Sequence, residues 1–95
     1  MSRRHSYIRS QVRKYPYPAK VAEALGVHTA TVYRACDGMD IALIREAHES
    51  GISLHNIIVR LKDLPYSTIA EKFGVSVQYV HKVMREHKKE EHAYA

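Results

Sequence analysis

The chain has 95 residues, with 15 Lys and Arg against 10 Asp and Glu, a net charge of +5 and a single cysteine. A chain of this size supports one small domain, or two minimal ones sharing a core, and leaves little room for a deep catalytic cleft. Cys36 alone excludes an intramolecular disulfide framework, no run of about eighteen apolar residues exists to span a membrane, and no apolar core of a secretory signal follows the basic start MSRRHSYIRS.

The positive charge is uneven. Residues 1–34 carry seven Lys or Arg against one acid, Glu23; residues 35–71 carry three bases and six acids; residues 72–95 carry five and three. Two basic ends around an acidic middle suit a chain whose ends meet a polyanion while the middle joins them. A sequence pI near 9.5 agrees with a nucleic-acid partner.

In chain order, the apolar spacing predicts short helices joined by short turns, and no alternating stretch of useful length predicts a strand. Ser6 is placed to cap a first helix with Ile8, Val12 and Tyr15 on one face. Pro16 and Pro18 stop it, and Pro18 opens a second helix through Val21, Ala22 and Leu25 that Gly26 ends. A third follows His28 or Thr29, turns Val32, Ala35 and Cys36 inward and breaks at Asp37-Gly38. Asp40 caps a fourth, IALIREAHE, whose Ile41, Leu43, Ile44 and Ala47 suit a joint between halves or a self-association face. Ser53 caps a fifth, with Leu54, Ile57, Ile58 and Leu61 in an apolar stripe. Thr68, three residues before Glu71, has capping-box spacing for a sixth, with Ser67 as the alternative cap, and Gly74 closes it. Ser76 caps a seventh, through Val80, Val83 and Met84, ahead of the polar tail REHKKEEHAYA. The expected fold is all-α, about seven helices in two three-helix units. Residues 1–38 form a basic arm and the first unit, 39–52 a linking helix, 53–88 the second unit and 89–95 a polar tail.

Two of these segments are copies of one pattern. VAEALGVHTATVYR at residues 21–34 and IAEKFGVSVQYVHK at residues 69–82 share Ala22 and Ala70, Glu23 and Glu71, Gly26 and Gly74, Val27 and Val75, and Val32 and Val80. The small Ala lets two helices cross closely and the Gly takes the positive φ of a tight turn. The following Val plugs the turn, and the later Val anchors the second helix on the first. This pattern resembles the helix-turn-helix of bacterial and phage DNA-binding proteins, with IAEKFGVSVQYV similar to sigma-factor and recombinase versions. IREAHESGISLHNIIVRL resembles the helical lead-in to such a motif in recombinases and small phage regulators. The first copy departs from the pattern at His28, where a capping Ser or Thr is usual.

With Val80, Val83 and Met84 buried, the outward face of the seventh helix is Gln78, His81, Lys82 and Arg85. Such side chains suit a major groove, where Gln pairs with adenine and Arg or Lys with guanine. The matching face of the third helix is Ala30, Tyr33, Arg34 and Asp37, with Thr29 beside Ala30 as a further contact for thymine methyls and Asp37 unhelpful beside phosphate. Arg3 and Arg4 are expected to follow a minor groove or the backbone, and Arg9, Arg13, Lys14, Lys20, Lys72 and Ser76 to hold phosphates.

These readings imply a sequence-specific regulator of double-stranded DNA of phage, plasmid or bacterial type in the cytoplasm or nucleoid, with repression ahead of activation. It would act as a monomer with two readers or as a homodimer, with RNA polymerase as a further partner. The alternatives are a DNA-recognition or packaging subunit that recruits a larger machine, and a polymerase-binding module. No catalytic constellation, cofactor motif or metal spacing stands out. The seven histidines, His5, His28, His48, His55, His81, His87 and His92, have no ligand spacing with Cys36, which matches Met84 of the second copy and reads as a small core residue. The dispersed tyrosines read as helix-end side chains rather than as base-stacking platforms.

Overall fold

The computed structural model describes residues 3–93, and side chains over residues 4–89. The described residues are all-α. In order the helices are α1 (Arg3–Lys14), α2 (Pro18–Leu25), α3 (Thr29–Ala35), α4 (Ile41–Glu49), α5 (Leu54–Arg60), α6 (Tyr66–Phe73) and α7 (Val77–Ala93). They pack as an elongated body of 49 × 28 × 18 Å.

Two apolar clusters organise it. Ile8, Val12, Val21, Ala22, Val32, Ala35 and Cys36 join α1, α2 and the end of α3. Ile44, Ala47, Ile57, Ile58, Ile69, Ala70, Phe73, Val80, Val83 and Met84 join α4 to α7. Met39 packs against both clusters, Ile41 against the first and Leu43 against the second, so the start of α4 touches both halves. The repeat shows in burial: Ala22 and Ala70 are buried, Val32 and Val80 wholly so, and Cys36 takes the buried place that Met84 takes in the second copy.

The two corners close in the same way. Gly26 has φ +67 and Gly74 φ +62, the left-handed conformation that glycine adopts without penalty. In each, the Val after the glycine donates its N–H to the carbonyl of the Ala shared by the two copies, Val27 to Ala22 and Val75 to Ala70, both at 3.0 Å. These paired closures satisfy orphan carbonyls of the preceding helix and fix the direction in which the next helix leaves.

Three caps form at the expected residues. The Asp40 carboxylate accepts from Leu43 N–H at 3.1 Å, Ser53 Oγ from Asn56 N–H at 3.2 Å, and Ser76 Oγ from Tyr79 N–H at 3.1 Å. Pro18 opens α2 in its first turn. Four expectations differ from the structure. Ser6 lies inside α1, where its Oγ accepts from Arg9 Nη2 at 3.3 Å, because the helix has already begun by Arg3. Tyr15 is 49% exposed rather than part of the inward face, because α1 ends one residue earlier and the chain turns, Tyr17 N–H donating to Tyr15 O at 2.8 Å. Neither Thr68 nor Ser67 caps α6: the extended Pro65, ψ 142, leads straight into Tyr66, and Ile69 N–H bonds Pro65 O at 3.1 Å. The polar tail continues α7 to Ala93, since REHKKEEHA contains neither Gly nor Pro.

A polar seam ties the α1–α2 turn to α4. Arg45 Nε donates to Pro16 O at 3.0 Å, and its guanidinium lies 5.4 Å from the centre of the Tyr17 ring. The Tyr17 hydroxyl donates to Glu49 at 2.8 Å, and Tyr15, Tyr17 and His48 make edge or tilted ring contacts. Hydrogen bonding to the Glu49 carboxylate raises the Tyr17 pKa above its ordinary value.

Cys36 is 3% exposed, and burial raises its thiol pKa above the ordinary value, against the opposing pull of Arg9 and Arg13. Since the thiolate is the reactive form, native Cys36 is expected to react with iodoacetamide at neutral pH at least about a hundredfold more slowly than in denaturant. Equal rates in the two states, read by mass spectrometry, are the result that a buried thiol does not permit.

Candidate nucleic-acid interface

The second helix of each corner presents one exposed face. On α7, Gln78, His81, Lys82 and Arg85 are all exposed, while Val80, Val83 and Met84 between them are buried. On α3, Thr29, Ala30, Tyr33 and Arg34 are exposed around the buried Val32 and Ala35, with Tyr33 55% accessible. The split follows from the helical period, which turns residues three and four apart to the same side. Asp37 is also exposed, just past the end of α3.

The two faces differ in how they begin and in what steadies them. Ser76 caps α7, whereas His28 precedes α3 in an extended conformation without a side-chain cap bond. His81 is braced by Tyr66, whose ring lies edge-on at 4.7 Å between centroids, a contact joining the first residue of α6 to the face of α7. The sequence reading missed this support. Residues fifteen apart on different helices leave no periodic mark, and only the corner brings them together. It also missed Val77, 38% exposed in the first turn of α7 beside Gln78.

The side chains expected to hold phosphate divide into two groups. Arg4, Lys14, Lys20 and Ser76 are exposed; Lys20 stands 4.0 Å from Glu23, with both partners mostly in solvent. The side chain of Arg3 lies outside the described residues. Arg9, Arg13 and Lys72 are only partly exposed and have protein partners. Lys72 Nζ lies 3.7 Å from the Asp40 carboxylate. Arg9 Nη1 reaches Ala35 O at 3.5 Å, the carbonyl that ends α3. Arg13 Nη1 donates to Gly74 O at 2.6 Å and lies 3.4 Å from Phe73 O. Burial lowers the Arg13 pKa below its ordinary value, and the nearby Arg9 adds to the effect. Arg9 and Arg13 stand one turn apart on α1, and the carbonyls they reach lie at the ends of two different helices, α3 for Arg9 and α6 for Arg13.

Between α1 and the α6–α7 corner lies an open groove of about 770 Å³, lined by Arg9, Arg13, Asp37, Glu71, Ser76 and Tyr79 among others. Its wall carries both signs of charge, and on the outward face of α7 Lys82 and Arg85 stand with Gln78 and His81, followed by the exposed Glu86. Among the described residues no group of three His, Cys, Asp or Glu side chains is placed to hold a metal ion. No described helix is long and apolar enough to cross a membrane.

Compared with protein families, with curated proteins and with solved structures, the chain has no match.

Proposed function

We propose that the chain is a sequence-specific regulator of double-stranded DNA whose two corners are tandem helix-turn-helix units, with α3 and α7 as the reading helices. One observation carries the reading. The same corner occurs twice, and in both copies the second helix buries its Val and turns a polar or basic face outward. Gln78 is suited to a bidentate pair with adenine and Arg85 or Lys82 to guanine, while Ala30 and Thr29 offer small apolar contact to thymine methyls. Arg4, Lys14 and Lys20 supply charge that neutralises phosphate without reading sequence. Occupation of an operator that polymerase must use gives repression as the natural mode of action.

Selection from random duplex DNA near physiological salt, followed by footprinting, tests this. An enriched site protected over both grooves is expected. No enrichment overturns the reading in favour of a packaging subunit or a polymerase-binding module.

Two substitutions separate readout from positioning. Gln78→Ala is expected to relax preference at one base pair, at a cost of about 1–3 kcal/mol to the preferred sequence alone. Lys14→Ala is expected to weaken all duplexes alike and to reduce the slope of log affinity against log salt by about 0.9. Lys14 is the cleaner probe, because Arg9 also contacts Ser6 and Ala35 and its removal disturbs packing. A Gln78→Ala chain that selects the same sequence with undiminished preference removes α7 as the reader.

A further inference from the structure

We infer that Arg13 is a positioning residue: it latches the corner that launches α7 onto the first half of the chain, and thereby sets the spacing between the two stretches of duplex that α3 and α7 read. The inference rests on the proposed DNA-binding function. Its physical basis is the end of α6. The last carbonyls of a helix have no partner within it. At α6 the corner takes two of them, Val75 N–H bonding Ala70 O and Gly74 N–H bonding Glu71 O. The next three carbonyls in sequence face donors from the α4 cap and from α1: Asp40 N–H reaches Lys72 O at 2.8 Å, and Arg13 Nη1 reaches Phe73 O at 3.4 Å and Gly74 O at 2.6 Å. A charged donor at the negative end of a helix makes a stronger bond than a neutral one and is favoured by the helix dipole.

The same rod holds the other reader. One turn before Arg13 on α1, Arg9 reaches Ala35 O where α3 ends, and Ile8 and Val12 pack α1 into the core that contains Val32 of α3. The path from one reading helix to the other therefore runs α3, α1, Arg13, Gly74, α7. Gly74 lies two residues before Ser76, the cap of α7, so little chain separates the latch from the start of the reader. Glycine at 74 also admits the close approach: a Cβ there would lie 2.7 Å from Met39 Sδ and 3.2 Å from Arg9 Cδ, while a Cβ at Gly26 would meet nothing within 4 Å. The second corner is seated on the first half, and the first corner is open.

A rigid joint makes the affinity of a two-part site depend on the distance between its parts, because both readers engage together only when the geometry permits. The test uses the full chain and duplexes carrying the selected site with base pairs inserted or removed between its two parts. For the wild-type chain one spacing is expected to be favoured by about tenfold or more over its neighbours. Arg13→Met, of similar length but without a donor, is expected to flatten that profile to about threefold or less while leaving the base preferences within each part unchanged. Arg13→Lys, which restores a cationic donor, is expected to recover most of the discrimination. Arg13→Gln, polar but too short to span to Gly74, is measured beside Arg13→Met so that the result does not hang on the folding of one variant, with helicity and melting recorded for each. A folded Arg13→Met or Arg13→Gln chain that keeps the sharp spacing profile overturns the inference. So does a wild-type chain that selects a sequence but shows no spacing dependence, and in that case the proposed function stands. A wild-type chain that selects no sequence removes both.

Discussion

Replacing Phe73 by alanine is expected to cost about 3–5 kcal/mol of folding free energy. Phe73 is the largest of the fully buried side chains and sits in the cluster that joins α4 to α7. Truncation removes most of an aromatic ring from a close-packed interior, and Ile44, Ile58 and Ile69, held by their helices, can collapse only partly into the space. For a small domain with a total stability of about 5–15 kcal/mol, this loss is a large fraction of the whole. The matching position in the first copy is Leu25, which is only partly buried. Leu25→Ala is therefore expected to cost about 1–2 kcal/mol, less than full burial of a leucine is worth. Urea titrations followed by circular dichroism decide the matter: the prediction fails if the two substitutions shift the midpoint equally. The contrast also bears on function, since α7 is carried by the better-packed corner and α3 by the more exposed one.

The sequence made the repeated corner legible because its requirements are local. A small residue where two helices cross, glycine where φ is positive and a valine to plug the turn recur in both copies, and each is dictated by neighbours a few residues away. Asp40, Ser53 and Ser76 were readable as caps for the same reason. Ser6 and Thr68 have capping chemistry too, yet neither caps a helix, since α1 is already under way by Arg3 and Pro65 delivers an extended chain into Tyr66. Helix starts are set by what the helix packs against as well as by the residue at its head. The exposed faces of α3 and α7 followed from periodicity once the buried valines were assigned. Arg13 could not be read in that way. Its partner carbonyl lies 61 residues away, and a backbone oxygen leaves no mark in a sequence. An arginine in a basic segment looks like a phosphate ligand until the fold shows a helix end within its reach.

Gly74→Ala is expected to destabilise the chain by about 2–3 kcal/mol, and Gly26→Ala by about 1–2 kcal/mol. Both residues hold the left-handed conformation, so an added methyl group carries the same backbone penalty in each corner. Only at Gly74 does it also meet neighbours, Met39 Sδ from just before α4 and Arg9 Cδ from α1. The Met39 thioether is the end of a flexible side chain, so that part of the cost stays near the lower end of the range for overpacking. Met39→Ala removes the tighter of the two contacts. Placed in a cycle with Gly74→Ala, it is expected to recover about 1 kcal/mol, while with Gly26→Ala it is expected to be additive. Thermal and chemical denaturation of the three single and two double variants measures both couplings. Equal couplings at the two glycines would mean that the second corner is no more firmly seated than the first, and would weaken the proposed joint between α3 and α7.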